Sequence, residues 1–150
     1  MRLWRITHRD YALDRQCADA SLFGGRWNPV GMPVLYSGGS VALTALEKLV
    51  HLGLAPCPPL VLVAVDMPDT ASVYEPDLAA LPVGWDALPI SASAQTFGES
   101  WLRRNDTLAM KIPSAIVPEE ANFVINPAHA DYPEIQITVL RPFAFDRRLL

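Results

Sequence analysis

The opening run Arg2–Ile6 reads as a short strand, with the apolar Trp4 and Ile6 on one face and Leu3 and Arg5 on the other. If the Leu3 face is buried, Arg5 goes in with it and needs a partner or a ligand. In an edge strand Arg5 would stay in water. Residues 7 to 33 carry no such rhythm and read as loop, with one helical turn around Tyr11–Ala18 and turn signals at Gly24-Gly25 and Asn28-Pro29. Val34-Leu35-Tyr36-Ser37 is the next strand, broken by Gly38-Gly39. Ser40 is a good N-cap for a helix from about Val41 to Leu54. Ala42, Leu43, Leu46, Leu49 and Val50 form its apolar stripe, Thr44, Lys48 and His51 lie opposite, and Glu47 sits at the border.

Leu60–Val65 is apolar on both faces, as in a central strand. Ser72-Val73-Tyr74 is a further short strand, and residues 76–92 form a long loop with one helical turn. Ser93 caps a helix running to about Asn105, with Phe97, Trp101 and Leu102 as its apolar side. Glu120–Pro127 reads as a strand leaving through a turn, and Ile135, Ile137 and Val139 alternate with Gln136, Thr138 and Leu140 in a half-buried strand. Strands and two good helices are mixed without a regular βαβ beat. That is the pattern of an α+β fold, in one domain spanning residues 1–150.

Composition narrows the function more than the fold. A net charge of −4 disfavours direct nucleic-acid binding, and Arg103-Arg104 and Arg147-Arg148 read as solvated ends of elements. No apolar run approaches the ~18–20 residues that span a bilayer, and Met1–Arg5 has no signal-peptide core, so a cytoplasmic protein is expected. Cys17 and Cys57 make no CxxC and read as small buried hydrophobes, and His8, His51 and His129 are too scattered to suggest a metal site. GxGxxG, Walker and GxSxG motifs are absent.

Candidate chemistry concentrates between Gly24 and His51. A permanent cation (Arg26), a ring with a hydroxyl (Tyr36), a glycine turn and a carboxylate (Glu47) fall within one short unit. Each has an ordinary alternative. Glu47 could be a surface residue pairing with His51 at i,i+4, Arg26 could tie the neighbouring turns through backbone carbonyls, and Tyr36 could be a plain strand tyrosine.

Gly24-Gly25-Arg26-Trp27-Asn28, Tyr36-Ser37, Ala45-Leu46-Glu47-Lys48-Leu49-Val50-His51, Pro113-Ser114, Asn122–His129 and Pro142–Leu149 together resemble the RES domain family, named for an Arg, a Glu and a Ser. The resemblance runs from Trp4-Arg5 to Leu149. One departure is the loop Asp14–Ala18, where the family pattern leads us to expect a glycine. The resemblance implies an ADP-ribosyltransferase-like mixed sheet with flanking helices, and a toxin of a bacterial toxin–antitoxin pair. Such a toxin depletes NAD+ by hydrolysis or phosphorolysis, or transfers ADP-ribose to a protein. It further implies a helix-turn-helix antitoxin of the Xre type that blocks the active site and supplies any DNA contact, and a homodimer within that complex. NAD+ enters as substrate, with no cofactor and no metal.

Carried over by residue, the signature is Arg26, Glu47 and Ser114, with Tyr36 as the active-site tyrosine. Arg5, Arg26, Tyr36, Ser37 and Asn122 are then expected around NAD+. The chemistry suits these types. Breaking the nicotinamide–ribose bond leaves an oxocarbenium-like ribose, which a carboxylate such as Glu47 stabilises. A diphosphate calls for a planar fork such as Arg26, with Arg5 as a second clamp. Tyr36 can lay its ring on the nicotinamide or ribose while its hydroxyl is satisfied elsewhere. Ser114 can bind the ribose or orient Glu47, but without a neighbouring base it is a poor nucleophile. A nucleotide-binding module without turnover is the alternative in a different class.

Overall fold

The computed structural model describes residues 1–150. Seven strands make one sheet: β1 (Arg2–His8), β2 (Leu35–Gly38), β3 (Leu60–Asp66), β4 (Val73–Tyr74), β5 (Ala109–Pro113), β6 (Ala121–Ile125) and β7 (Gln136–Phe143). Their spatial order is β4-β5-β6-β2-β1-β3-β7. Only β4 and β5 run parallel. The helices are α1 (Ala18–Phe23), α2 (Val41–Leu52) and α3 (Ala92–Arg104). No helix is long and apolar enough to cross a membrane.

The continuous apolar run Leu60–Val65 becomes β3, paired on both edges and buried on both faces. One face of the sheet carries Leu3, Leu35, Val63, Val65, Phe123 and Ile125 under a cover of loops that contributes Ala12, Cys17, Tyr132 and Ile135. The other face holds two clusters. Val34, Met110, Ile112 and Val124 pack on Trp27 and on Ala94, Trp101 and Leu102 of α3. Ile6, Leu60, Leu62 and Phe145 pack beneath Val41, Ala45, Leu49 and Leu52 of α2. Trp101 is fully buried with its indole N–H donated to Thr107 Oγ1 at 2.8 Å. Truncating such a ring costs about 3–5 kcal/mol.

Several expectations shift. β1 is an interior strand, so the Leu3 face is buried and Arg5 is half-buried with it. The helical turn expected at Tyr11–Ala18 is instead a 3-10 turn at Arg9–Tyr11 followed by α1. The stripe of α2 is rotated: Thr44 is buried whereas Ala42 and Val50 are exposed, because Val41, Ala45, Leu49 and Leu52 are the positions that meet the sheet. Ser91, not Ser93, caps α3, accepting from the Ala94 amide at 3.2 Å. Cys57 is exposed; only Cys17 is buried. In the loop where a glycine was expected, Cys17 takes φ 54°, a left-handed backbone that glycine adopts without strain.

Two glycines set the close approaches. A Cβ on Gly38 would meet the hydroxyl of Thr44, which bonds to Ser40 O at 2.8 Å, so α2 lies tight over β2. A Cβ on Gly98 would lie 2.6 Å from Trp27 C and 2.8 Å from Trp27 Cα, so α3 rests directly on the backbone beside Arg26.

Candidate functional site

Ser40 begins α2 as its N-cap, accepting from the Leu43 amide at 3.1 Å. Two turns on, Glu47 points back across β2 to β6. Its Oε1 accepts from Asn122 Nδ2 at 2.6 Å and from Ser114 Oγ at 2.8 Å. The approach is possible because Asn122 pairs in register with Gly38, which puts no side chain in the way. The alternative pairing with His51 does not form at the carboxylate: His51 Nδ1 meets the backbone oxygen of Glu47 at 2.6 Å. Ser114 opens the β5–β6 connection and is fully buried. Its hydroxyl also accepts from the amides of Ile116 and Val117 at 3.0 and 3.1 Å. Serine and asparagine of the β5–β6 hairpin thus converge on one oxygen of a glutamate far away in sequence on α2.

β1 and β2 pair at a single position, Trp4 with Gly38. Beyond it β1 stays with β3 and β2 with β6, so the sheet forks. Arg5 and Ser37 are the next residues along either side of that parting. Arg5 makes one long hydrogen bond, to Tyr11 O at 3.4 Å. Burial lowers its pKa, opposed by Cys17, Asp19, Tyr132 and Asp14. Ser37 is 5% exposed, and its Oγ is the one buried side-chain polar atom without a partner. Lys48 of α2 is half-buried; burial lowers its pKa, Asp19 opposes the shift and the charge of Arg5 adds to it. The fork therefore holds desolvated cations and an unpaired hydroxyl, groups that an anionic, hydroxyl-rich ligand would satisfy.

Arg26 and Tyr36 are fastened to other parts of the protein. Arg26 Nη1 donates to the carbonyls of Trp85 (2.7 Å) and Ala87 (3.0 Å), fastening the 82–90 loop rather than the adjacent turns. Its Nε and Nη2 make no bond within the protein and stay available. The Tyr36 hydroxyl donates to Asn28 Oδ1 and accepts from the Trp27 amide at 3.1 Å. Burial of that hydroxyl raises its pKa. Tyr36 can offer its ring but not a proton.

The structure brings the sequence-named Glu47, Ser114 and Asn122 together, and it adds two polar groups that the sequence does not single out. Asn28, a turn signal and part of the Gly24–Asn28 string in sequence, is fully buried, and its Nδ2 bridges Ala20 O (2.9 Å) and Met32 O (2.8 Å) while Oδ1 holds Tyr36. Gln95 Nε2 donates to Gly25 O at 3.0 Å, tying α3 to the Arg26 turn. Nothing in the 82–90 loop announced its role as acceptor for Arg26. No group of three His, Cys, Asp or Glu side chains could hold a metal ion. Surface hollows beside α3 (Thr96, Glu99, Arg103, Arg104) and beside the β5–β6 connection (Glu75, Lys111, Glu119, Glu120) contain none of the site groups.

The seven-stranded mixed sheet with α2 and α3 packed on one face is an α+β fold of the ADP-ribosyltransferase-like type. The fold matches the crystal structure of the M. tuberculosis MbcT-MbcA toxin-antitoxin complex with a TM-score of 0.70 and 18% identity, covering 93% of this chain and 84% of that one. The chain belongs to the RES domain family, which it matches over residues 2–146. Similar proteins include the "Prs ADP-ribosylating toxin" of Sphingobium sp. (strain YBL2), 41% identical across 98% of this chain and 95% of that protein. "Toxin Res" of Pseudomonas putida is 36% identical across 99% of both chains, and "Toxin Res" of Photorhabdus laumondii 34% across 100% and 97%.

Proposed function

We propose that this protein is the toxin of a toxin–antitoxin pair and consumes NAD+ by cleaving the nicotinamide–ribose bond, with water or phosphate as acceptor. The observation that supports the reading is the Glu47 carboxylate fixed by Ser114 and Asn122 on the helical face of a sheet whose β1–β2 parting carries Arg5, a cation with one long hydrogen bond. Glu47 Oε2, which makes no bond within the protein, faces the ribose hydroxyls and the positive charge that grows as neutral nicotinamide leaves. Arg5 and the free donors of Arg26 hold the diphosphate. The Tyr36 ring packs on the nicotinamide ribose, Ser37 supplies a hydroxyl, and no metal or cofactor enters a step.

Transfer of ADP-ribose to a protein is the second reading, favoured by the name of the Sphingobium relative. Both share the same bond cleavage and differ in the acceptor. The solved neighbour is a toxin–antitoxin complex, which supports an antitoxin partner for this chain; our reading makes that partner an Xre-type helix-turn-helix protein that covers the active site and carries the DNA contact, and the toxin a cytoplasmic homodimer. Purified protein incubated with NAD+ should release nicotinamide, and Glu47→Gln should slow release by on the order of a hundredfold or more. Phosphate dependence separates phosphorolysis from hydrolysis, and radiolabel appearing on protein instead marks transfer. No release and no labelling would overturn the enzymatic reading, whereas NAD+ binding without turnover would mark a nucleotide-binding module.

A further inference from the structure

We infer that Ser114 and Asn122 are positioning residues: they seize Glu47 Oε1 so that Oε2 alone is presented to the substrate. This rests on the NAD+-cleaving reading above and refines it, since Asn122 would otherwise be counted among the residues that touch NAD+. A serine hydroxyl has one proton and two lone pairs. In Ser114 the amides of Ile116 and Val117 fill both lone pairs, so the proton points at Glu47 and nowhere else. Ser114 is fully buried, so its hydroxyl does not face solvent. The Asn122 amide must turn its NH2 to the carboxylate, because its oxygen at 2.6 Å would meet an anion.

The fold closes this arrangement into a ring. Ser114 N donates to Glu120 O at 2.9 Å, and Glu120 Oε2 accepts from Ser40 Oγ at 2.9 Å. Ser40 is the cap of the same helix that carries Glu47. The start of α2 therefore fixes the connection that in turn fixes a side chain two turns along α2. Both donors fall on one oxygen, which makes the carboxylate unsymmetrical before any ligand arrives. A transition state that needs one aimed oxygen gains from a group that requires no reorganisation.

The experiment uses the full chain, with nicotinamide release read as separate kcat and KM and with ADP-ribose binding measured by calorimetry. Ser114→Ala and Asn122→Ala should each lower kcat by about ten- to a hundredfold, the worth of one hydrogen bond to a charged group. KM and ADP-ribose affinity should stay within about twofold, since neither residue touches ligand. Asn122→Asp, equal in size but an acceptor, should be slower than Asn122→Ala. That extra penalty should vanish in a Glu47→Gln background, where no like charge faces it. Ser114→Thr, which keeps the donor, should recover activity if Ser114→Ala folds poorly. An intact kcat with a raised KM for Asn122→Ala would make Asn122 a substrate contact and overturn the inference, as would Asn122→Asp matching or exceeding Asn122→Ala. If the unmodified protein releases no nicotinamide, the NAD+-cleaving reading fails separately. The same double-mutant cycle read in urea unfolding then tests the coupling without turnover, and an Asp penalty independent of Glu47 overturns it.

Discussion

Replacing Gly98 with alanine ought to stabilise an ordinary helix, and here it should do the reverse. Gly98 lies in the middle of α3, where alanine is favoured over glycine by roughly 1 kcal/mol. The new methyl, however, would sit 2.6 Å from the carbonyl carbon of Trp27 and 2.8 Å from its Cα, against the ordinary van der Waals separation of about 3.5–4 Å. Relief therefore needs α3 and the Arg26-Trp27 turn to part by about 1 Å or more. The obstructing atoms are backbone, so no side-chain rotation can absorb the change. Trp27 is itself 2% exposed, stacked on Trp85 at 6.2 Å and edge-on to Phe97 at 5.9 Å, which leaves it no slack. Overpacking of this kind costs about 1–3 kcal/mol, and rigid contacts fall at the upper end. The net loss is about 2 kcal/mol, or a Tm lower by roughly 4–8 °C for a chain of this length. Thr96→Ala, exposed two residues earlier in α3, serves as the control and should stabilise by a few tenths of a kcal/mol. Urea and thermal unfolding of the two variants check the argument. A Gly98→Ala protein as stable as the parent would show that the α3–Trp27 contact yields easily, and the reasoning would fall. Because Trp27 N also holds the Tyr36 hydroxyl, NAD+ turnover should decline along with stability.

The two arginines of the site should separate by assay. Arg5→Gln should leave the melting temperature nearly unchanged, its one hydrogen bond being long, while raising KM for NAD+ by about tenfold or more. Arg26→Gln should cost about 1–3 kcal/mol of stability as well as activity, because the carbonyls of Trp85 and Ala87 lose their charged donor; equal melting curves for the two variants would refute the distinction. At the surface, the Arg2 guanidinium bonded to Asp66 at 2.8 and 3.0 Å lowers the Asp66 pKa. The folded value lies below the unfolded one, so this contribution is complete above about pH 4 and fades as pH falls through the folded value. The gap in urea midpoint between the parent and Asp66→Asn should accordingly shrink from pH 7 to pH 3, and a constant gap would contradict it. Arg15 donates to Ile135 O and Tyr132 O, both at 2.9 Å, and its guanidinium lies 4.8 Å from the Tyr132 ring centroid. Arg15→Lys cannot reproduce that fork and should lower stability by about 1–2 kcal/mol in urea unfolding.

Patterning along the chain determined most of the elements. The apolar run at Leu60–Val65, the Ser40 cap and the alternation around Ile135–Val139 each depend on neighbours within a few residues, and β3, α2 and β7 lie where those signals put them. The errors have local causes too. The choice between Ser91 and Ser93 as cap turned on which serine reached the Ala94 amide, and the stripe of α2 could be rotated because Leu46 and Val50 are as apolar as the residues that face the sheet. Glu47, Ser114 and Asn122 could be named as types fit for the chemistry. Their meeting on a single oxygen could not be named, since Ser114 and Asn122 lie 67 and 75 positions from Glu47 and reach it only through strand register, with Asn122 opposite Gly38. The same holds for the fork. Arg5 could be judged buried or exposed only once β1 was known to be interior, and Arg26 was fastened to a loop some sixty residues away that carries no motif. Local free energies set where helices and strands begin and end. The fate of a charged side chain depends on desolvation and on partners delivered by long-range packing, and so the candidate residue types are legible in the sequence while their geometry belongs to the tertiary structure.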